Sequence, residues 1–392
     1  MDTNVSDSHS NPPQPGTLAE LYTFDWSAFH LRSPIVCSFA ILICLVVGIL
    51  AGHPGGGLIA AGGAMTLGFG VNQRIGVSRL WPMTLATITM FLSTLVGMRI
   101  GYHNVVLAFA CALWAFTYGI LTARAEGWAW AGQQACIYLF VASAFPAHWH
   151  DAIQRASLVL VGGAIQIAIV GLLHNRFIDL VRHPFTPDHR RELRRFFDPR
   201  RLRFAHRVLQ KESGFGYGLE LAITIAISAE IYRRLNIRSG YWIPMTALLV
   251  QKPRFLETLN RVLLRVGGTL AGAILSTFFI LHVHPHPMWL AVLATLFALL
   301  AYSTLLVNYG LYAVCLTAYI VFLLSLDTLP SQIIAERRSL CTIAGGLFAL
   351  VIHVTELYRH KLPFLPQRPS QVDKIEESEA RRHPRQSSDS GE

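Results

Sequence analysis

The feature that most limits what this chain can fold into is a series of nearly unbroken apolar runs, nearly all of them roughly 17 to 23 residues long, which is what a helix needs to cross about 30 Å of hydrocarbon. In a bilayer every backbone N–H and C=O must be satisfied internally, so each run has to close its own hydrogen bonds as a helix. The runs fall at 33–51, 55–71, 80–98, 104–122, 128–145 and 156–174, then at 215–232, 239–251, 261–281, 288–304, 309–326 and 339–357. Only 14% of the 392 residues are charged, 53% are hydrophobic and the mean hydropathy is +0.42. A soluble domain carries about 25% charged residues, so the composition argues against a water-soluble globule. The expectation is an all-α, polytopic helical membrane protein of about twelve spans.

The runs divide into six, a break, and six more. Five regions follow: an N-terminal segment 1–32, a first six-span repeat 33–174, a basic linker 175–214, a second six-span repeat 215–358 and a polar tail 359–392 that reads as disordered. The N-terminal segment lacks the basic start and small-residue cleavage site of a secretory signal, so no processing is expected. The formal net charge of +10 is a topology signal, because the basic residues gather in the linker, the tail and alternate short loops. With both termini and the linker cytoplasmic, the outer loops keep only Arg99, Arg155, Arg233, Arg234, Arg238, Arg337 and Arg338. The cluster Arg233 to Arg238 resists the rule, and the following run, 239–251, makes a short crossing.

The halves read as a tandem repeat. A shift of 182 residues lays Arg79 on Arg261, Thr87 on Thr269, Phe140 on Phe322, Ser143 on Ser325 and Gly163 on Gly345. Two six-span repeats share one orientation and can enclose a path between them. Two amphipathic elements, Leu18 to Leu31 and Arg200 to Lys211 in the linker, suit helices lying on the membrane surface.

No folded basic surface suggests nucleic acid as a partner. The six cysteines lie inside apolar runs without metal spacing, and the tract His282-Val283-His284-Pro285-His286 reads as an extended outer loop, so neither a metal site nor a cofactor is expected. No nucleophile–base pair, P-loop or dinucleotide fingerprint points to an enzyme.

The informative segment runs from Ser239 to Gly272. Arg261, Arg265, Gly268 and Gly272, spaced four, three and four, form one stripe on a helix. The glycines admit a second backbone, so that face must meet protein. An Arg at a span centre costs about 2.5 to 3.5 kcal/mol, so Arg265 must face a partner or an aqueous cavity. Arg261 either pairs with Glu257 or joins Arg265 at a substrate. A fixed cation in a membrane path attracts anions, which makes an organic anion the leading substrate class. Tyr241, Trp242 and Thr246 open the short span, and Trp242 either belongs to an interfacial belt or stacks on an aromatic ring. Glu220 and His353 are the candidates for carrying a coupling proton, with a neighbouring Arg as the alternative partner of Glu220.

The pattern Tyr241-Trp242-x-Pro244-x-Thr246, then Lys252-Pro253, then Arg261-xxx-Arg265-xx-Gly268-Thr269 and Gly272 resembles the fusaric acid resistance (FUSC) family of aromatic acid exporters. The resemblance covers about thirty residues closely and the six-plus-six layout more loosely. It implies a multi-pass exporter of aromatic carboxylic acids in the bacterial inner (plasma) membrane, surrounded by membrane lipid, and with Glu220 and His353 as candidates the proton gradient is the expected driving force. Family members often work with a periplasmic membrane-fusion adaptor, and a homo-oligomer is left open. They commonly carry a substantial cytosolic domain between the halves, where this chain has only residues 175–214. The architecture also resembles aluminium-activated malate transporters, which implies a passive organic-anion channel as the alternative. A membrane scaffold that transports nothing is the third reading.

Overall fold

The computed structural model describes residues 21–75, 78–122, 126–173, 213–327 and 330–359. The linker helix, the tail and the start of the N-terminal segment lie outside the described residues. The chain forms two compact units, Met1–Leu350 and Val351–Glu392. The first holds the bundle described below, and the second takes in the last turns of the final helix and the tail.

Among the described residues the apolar runs fold into twelve α-helices: α1 Arg32–Leu50, α2 Pro54–Gly68, α3 Leu80–Ile100, α4 Asn104–Thr122, α5 Glu126–Ser143, α6 Trp149–Leu173, α7 Ser213–Arg234, α8 Trp242–Val250, α9 Phe255–Val283, α10 Pro287–Thr304, α11 Tyr309–Leu324 and α12 Ser331–Arg359. Nine of them are long and apolar enough to cross a membrane. The exceptions are α2, α5 and α8. Outward-facing apolar side chains such as Val47, Phe109, Ile274 and Leu347 stay exposed, as expected of helices that meet lipid.

Local sequence explains the boundaries. Pro54 and Pro287 stand in the first turns of α2 and α10, where the missing N–H costs nothing. Asn308 caps α11, its side chain accepting from Gly310 N at 2.8 Å and Leu311 N at 3.2 Å. His284 closes α9 in the left-handed conformation and the His286 side chain caps α10, so the histidine tract forms a helix–helix corner rather than an extended loop.

Under the 182-residue shift the helix ends nearly coincide: α3 ends at 100 and α9 at 283, α4 at 122 and α10 at 304, α5 at 143 and α11 at 324. Packing follows the same correspondence. Helix α3 lies on α5 as α9 lies on α11, and α1 packs on α10 while α7 packs on α4. The first helix of each half therefore rests on the fourth helix of the other. At the α4–α7 contact Gly119 faces Gly218 with no room for a Cβ.

Three expectations change. Helix α8 has nine residues and rises only about 14 Å, about half the hydrocarbon thickness. Its short reach follows from turns with positive φ at Asn236 and Ser239 before it and an extended Gln251 followed by Lys252-Pro253 after it. Arg155, Arg337 and Arg338 are not loop residues, because α6 and α12 begin at Trp149 and Ser331, several residues before the apolar runs. Arg99, Arg233 and Arg234 likewise lie on the last turns of α3 and α7. There Arg233 donates to Gly101 O and to Asn104 Oδ1 (2.9 Å), Arg99 donates to Ala147 O (3.1 Å), and Arg234 pairs with Glu230. The basic cluster ties helix ends together on one side of the bundle, which accounts for charges that topology alone does not.

The stripe on α9 packs as its spacing predicts. A Cβ on Gly268 would lie 2.5 Å from Gly310 O and 2.6 Å from Ala313 Cβ, and one on Gly272 would strike Val314 O. Gly267, one position away, would meet nothing within 4 Å. Gly268→Ala should therefore lower the thermal unfolding midpoint of the purified protein, by an overpacking cost of about 1 to 3 kcal/mol. Gly267→Ala should leave it unchanged or slightly raised.

Candidate functional site

Between the halves lies a cavity of about 410 Å³. Its wall takes Tyr241, Trp242, Met245 and Leu249 from α8 and the segment before it, Lys252 from the α8–α9 turn, Arg261 and Arg265 from α9, and Tyr309, Tyr312, Leu316 and Tyr319 from α11. The first half supplies Met65 and Thr66 from α2, Trp130, Gln133, Gln134 and Tyr138 from α5, and Phe145 and Arg155 from the α5–α6 region. Among the described residues that line it there is no Asp or Glu. Four cations and no anion give the space a positive potential, which low-dielectric walls strengthen.

The cations are placed by the helices that carry them. Arg261 lies over the Tyr309 ring, with its guanidinium carbon 4.3 Å from the centroid. Arg265, one turn further along, is 2% exposed and interacts with the Tyr312 hydroxyl. Its Nε and Nη1 have no hydrogen-bond partner among the described residues. The close α9–α11 contact at Gly268 and Gly272 sets this pairing, because it fixes the two helices in register. At the other end of the cavity Arg155 lies 4.1 Å over the Phe145 ring, and Phe145 is 6.4 Å from Tyr241. Tyr241 and Trp242 are 5.1 Å apart by ring centroids, and Arg338 lies 4.3 Å over the Trp242 ring.

Of the residues singled out from sequence, the structure brings Arg265, Arg261, Trp242 and Tyr241 together in one wall. Thr246 is not part of it; it turns aside on α8, against Gly345 of α12. Gly268 and Gly272 sit behind the wall as packing residues. Glu220 does not line the cavity, and it accepts a hydrogen bond from Gln251 Nε2 at 3.0 Å where an Arg partner was the alternative. His353 belongs to the separate C-terminal unit. Glu257 pairs with Arg254 at 3.4 Å, which leaves Arg261 to its ring contact. Among the described residues no group of His, Cys, Asp and Glu is arranged to hold a metal ion.

Sequence reasoning missed Lys252, Arg155, Arg338 and the tyrosines of α11. Lys252 was legible, since it precedes a proline and follows the short helix, which places it at a helix end facing the same space. The tyrosines gave no local signal, because Tyr309 and Tyr312 matter only through helix α9, which approaches from elsewhere in the chain.

Residues 225–352 match the fusaric acid resistance protein-like family. The match runs from α7 into α12 and contains the whole Tyr241 to Gly272 pattern, so that this part of the chain is similar to the family. The nine span-length apolar helices indicate a multi-pass membrane protein. An uncharacterized protein, ORF2, of Neisseria gonorrhoeae is 30% identical over 145 residues, 36% of this chain and 34% of that protein. Another uncharacterized protein, slr1298, of Synechocystis is 28% identical over 137 residues, 34% of this chain and 18% of that protein. The chain therefore matches only about a third of the first relative and under a fifth of the second. No solved structure matches the chain.

Lys252 gives the cavity a titratable edge. Burial, with a smaller contribution from the neighbouring Arg261, pushes its ammonium down from 10.5 to about 8. Below that value both native and unfolded chains hold the proton and the cost of burying the charge is fully present. Between about 8 and 10.5 the native chain has lost a proton that the unfolded chain keeps, so this group makes stability rise with pH. The unfolding midpoint of the wild type in detergent should accordingly gain on that of Lys252→Met as pH is raised through 8 to 10, with no such gain between pH 6 and 7.

Proposed function

We propose that this FUSC-family chain exports aromatic carboxylates from the cytoplasm across the bacterial inner membrane, with both termini on the cytoplasmic side and the proton gradient as the driving force. One observation carries the reading: the cavity between the halves combines aromatic walls with Lys252, Arg261, Arg265 and Arg155, and no acidic residue among the described residues that line it. A guanidinium with free N–H groups in a dry wall suits a carboxylate, and Tyr241 and Trp242 beside it suit an aromatic ring. The volume is that of a small-molecule site. Glu220 is the candidate for proton coupling, through its hydrogen bond to Gln251 near the Lys252 end of the cavity. A periplasmic adaptor and self-assembly are compatible with the family and are proposed only as partners to look for.

Inverted membrane vesicles test the proposal. Labelled 4-hydroxybenzoate should accumulate in them when a proton gradient is imposed, and collapse of the gradient should abolish the uptake. Arg265→Gln should lower the initial rate at least about tenfold, the loss expected for a charge-assisted hydrogen bond made without competition from water. Transport by Arg265→Gln at the wild-type rate would remove that residue from the mechanism. Anion current that persists without a proton gradient and reverses with the anion gradient would replace the exporter with a channel.

A further inference from the structure

Arg338 lies on α12 and is 2% exposed, as Arg265 is. Its Nε donates to Thr317 Oγ1 at 3.4 Å and its guanidinium carbon stands 4.3 Å from the centre of the Trp242 ring, while Nη1 and Nη2 have no partner among the described residues. Arg265 has Nε and Nη1 in the same condition. Both guanidiniums lie in the electrostatic surroundings of Tyr312 on α11, and each lies within reach of the other's repulsion. Two like charges buried on helices that meet where Gly346 of α12 lies against Val262 of α9, with donors unused and no carboxylate among the described residues that line the cavity, are strongly unfavourable by themselves. An anion placed between them removes the repulsion and uses the donors. The cation–π contact adds a second constraint, because it fixes the Trp242 ring, one of the cavity-lining groups, against the same guanidinium.

We propose that Arg338 and Arg265 form a two-guanidinium site that shares a single monovalent anion, the carboxylate of the transported substrate. The site rests on the reading of the cavity as an anion path, and adds to it a second ligand from α12. A halide carries the same charge without the planar shape of a carboxylate, so the two sources are separable by probe.

Isothermal titration of the purified full-length protein in chloride-free detergent buffer, with sodium benzoate and separately with sodium chloride, tests the pair. Arg265→Gln and Arg338→Gln should each weaken benzoate binding at least about tenfold. The double variant should be little weaker than the worse single variant, as two ligands of one anion require. Arg338→Lys keeps the charge and loses the planar fork, so it should weaken benzoate more than chloride, a discrimination that a purely structural role would not produce. This variant also carries the test if Arg338→Gln does not fold. Wild-type benzoate affinity in both Arg338 variants, with loss only in Arg265→Gln, would overturn the pair and leave the anion path standing. Chloride binding that depends on Arg338 without any benzoate binding would uphold the paired site and overturn the aromatic substrate. Binding of neither anion by the wild type would overturn both.

Discussion

The arrangement of the cavity depends on how closely α9 approaches α11. In a bilayer the hydrophobic effect does not press helices together, so contact must come from surfaces that fit. Gly268 and Gly272 supply such a surface by letting the backbone of α9 meet the carbonyls of Gly310 and Val314 directly. Once that contact is made, the rest of the stripe has no freedom left. Arg261 falls on Tyr309, and Arg265 one turn later falls beside Tyr312. Helix α11 in turn is anchored at its start by Asn308, which caps it and also donates to Thr23 O of the N-terminal segment at 2.9 Å. The small residues thus decide where the large charged ones can stand.

That placement is costly unless an anion is involved. A buried guanidinium without a counter-ion forfeits several kcal/mol of hydration even after relaxation. Arg261 and Arg155 offset part of this through aromatic faces, contacts of about 0.5 to 2 kcal/mol. Arg265 has the Tyr312 hydroxyl and little else. By contrast, the arginines at helix ends, such as Arg99 and Arg233, donate to carbonyl groups and do not line the cavity. The two kinds of arginine have the same chemistry and nearly the same depth in sequence. What separates them is whether their N–H groups are used, and that is a property of the packed structure.

The same distinction explains which parts were legible in the sequence. Helix existence was legible throughout, because apolar runs of span length leave the backbone no other choice. The stripe on α9 was legible because its period is helical and local. Arg155 and Arg338 were misread as loop residues because a run of apolar letters ends at the first charge, whereas a helix such as α6, 25 residues long, continues past it. Thr246 was wrongly placed for a subtler reason. The cavity-facing residues of α8, Trp242, Met245 and Leu249, recur at three and four, and Thr246 sits about a quarter-turn from their centre, where Gly345 presses against it. The tyrosines of α11 could not be found by any local pattern, since their role comes from a partner helix.

The two halves also share their work unequally, and the repeat makes the inequality measurable residue by residue. The 182-residue shift sets Met83 opposite Arg265, Ala156 opposite Arg338, Ala60 opposite Trp242 and Gly70 opposite Lys252. The first half therefore has nearly the same helix ends but puts one cation, Arg155, in the cavity wall where the second half puts three, and the rest of its polar lining includes Thr66, Gln133, Gln134 and Tyr138, groups that hydrogen-bond without charge. Two cationic walls would repel each other and hold an anion too symmetrically to orient it. A wall with three cations facing one with a single cation attracts an anion to a defined side and leaves much of its remaining surface to amides and hydroxyls, whose grip is weak enough to be released. The similar packing of the two halves supplies the enclosure. The unequal charge of its two walls gives that enclosure a direction.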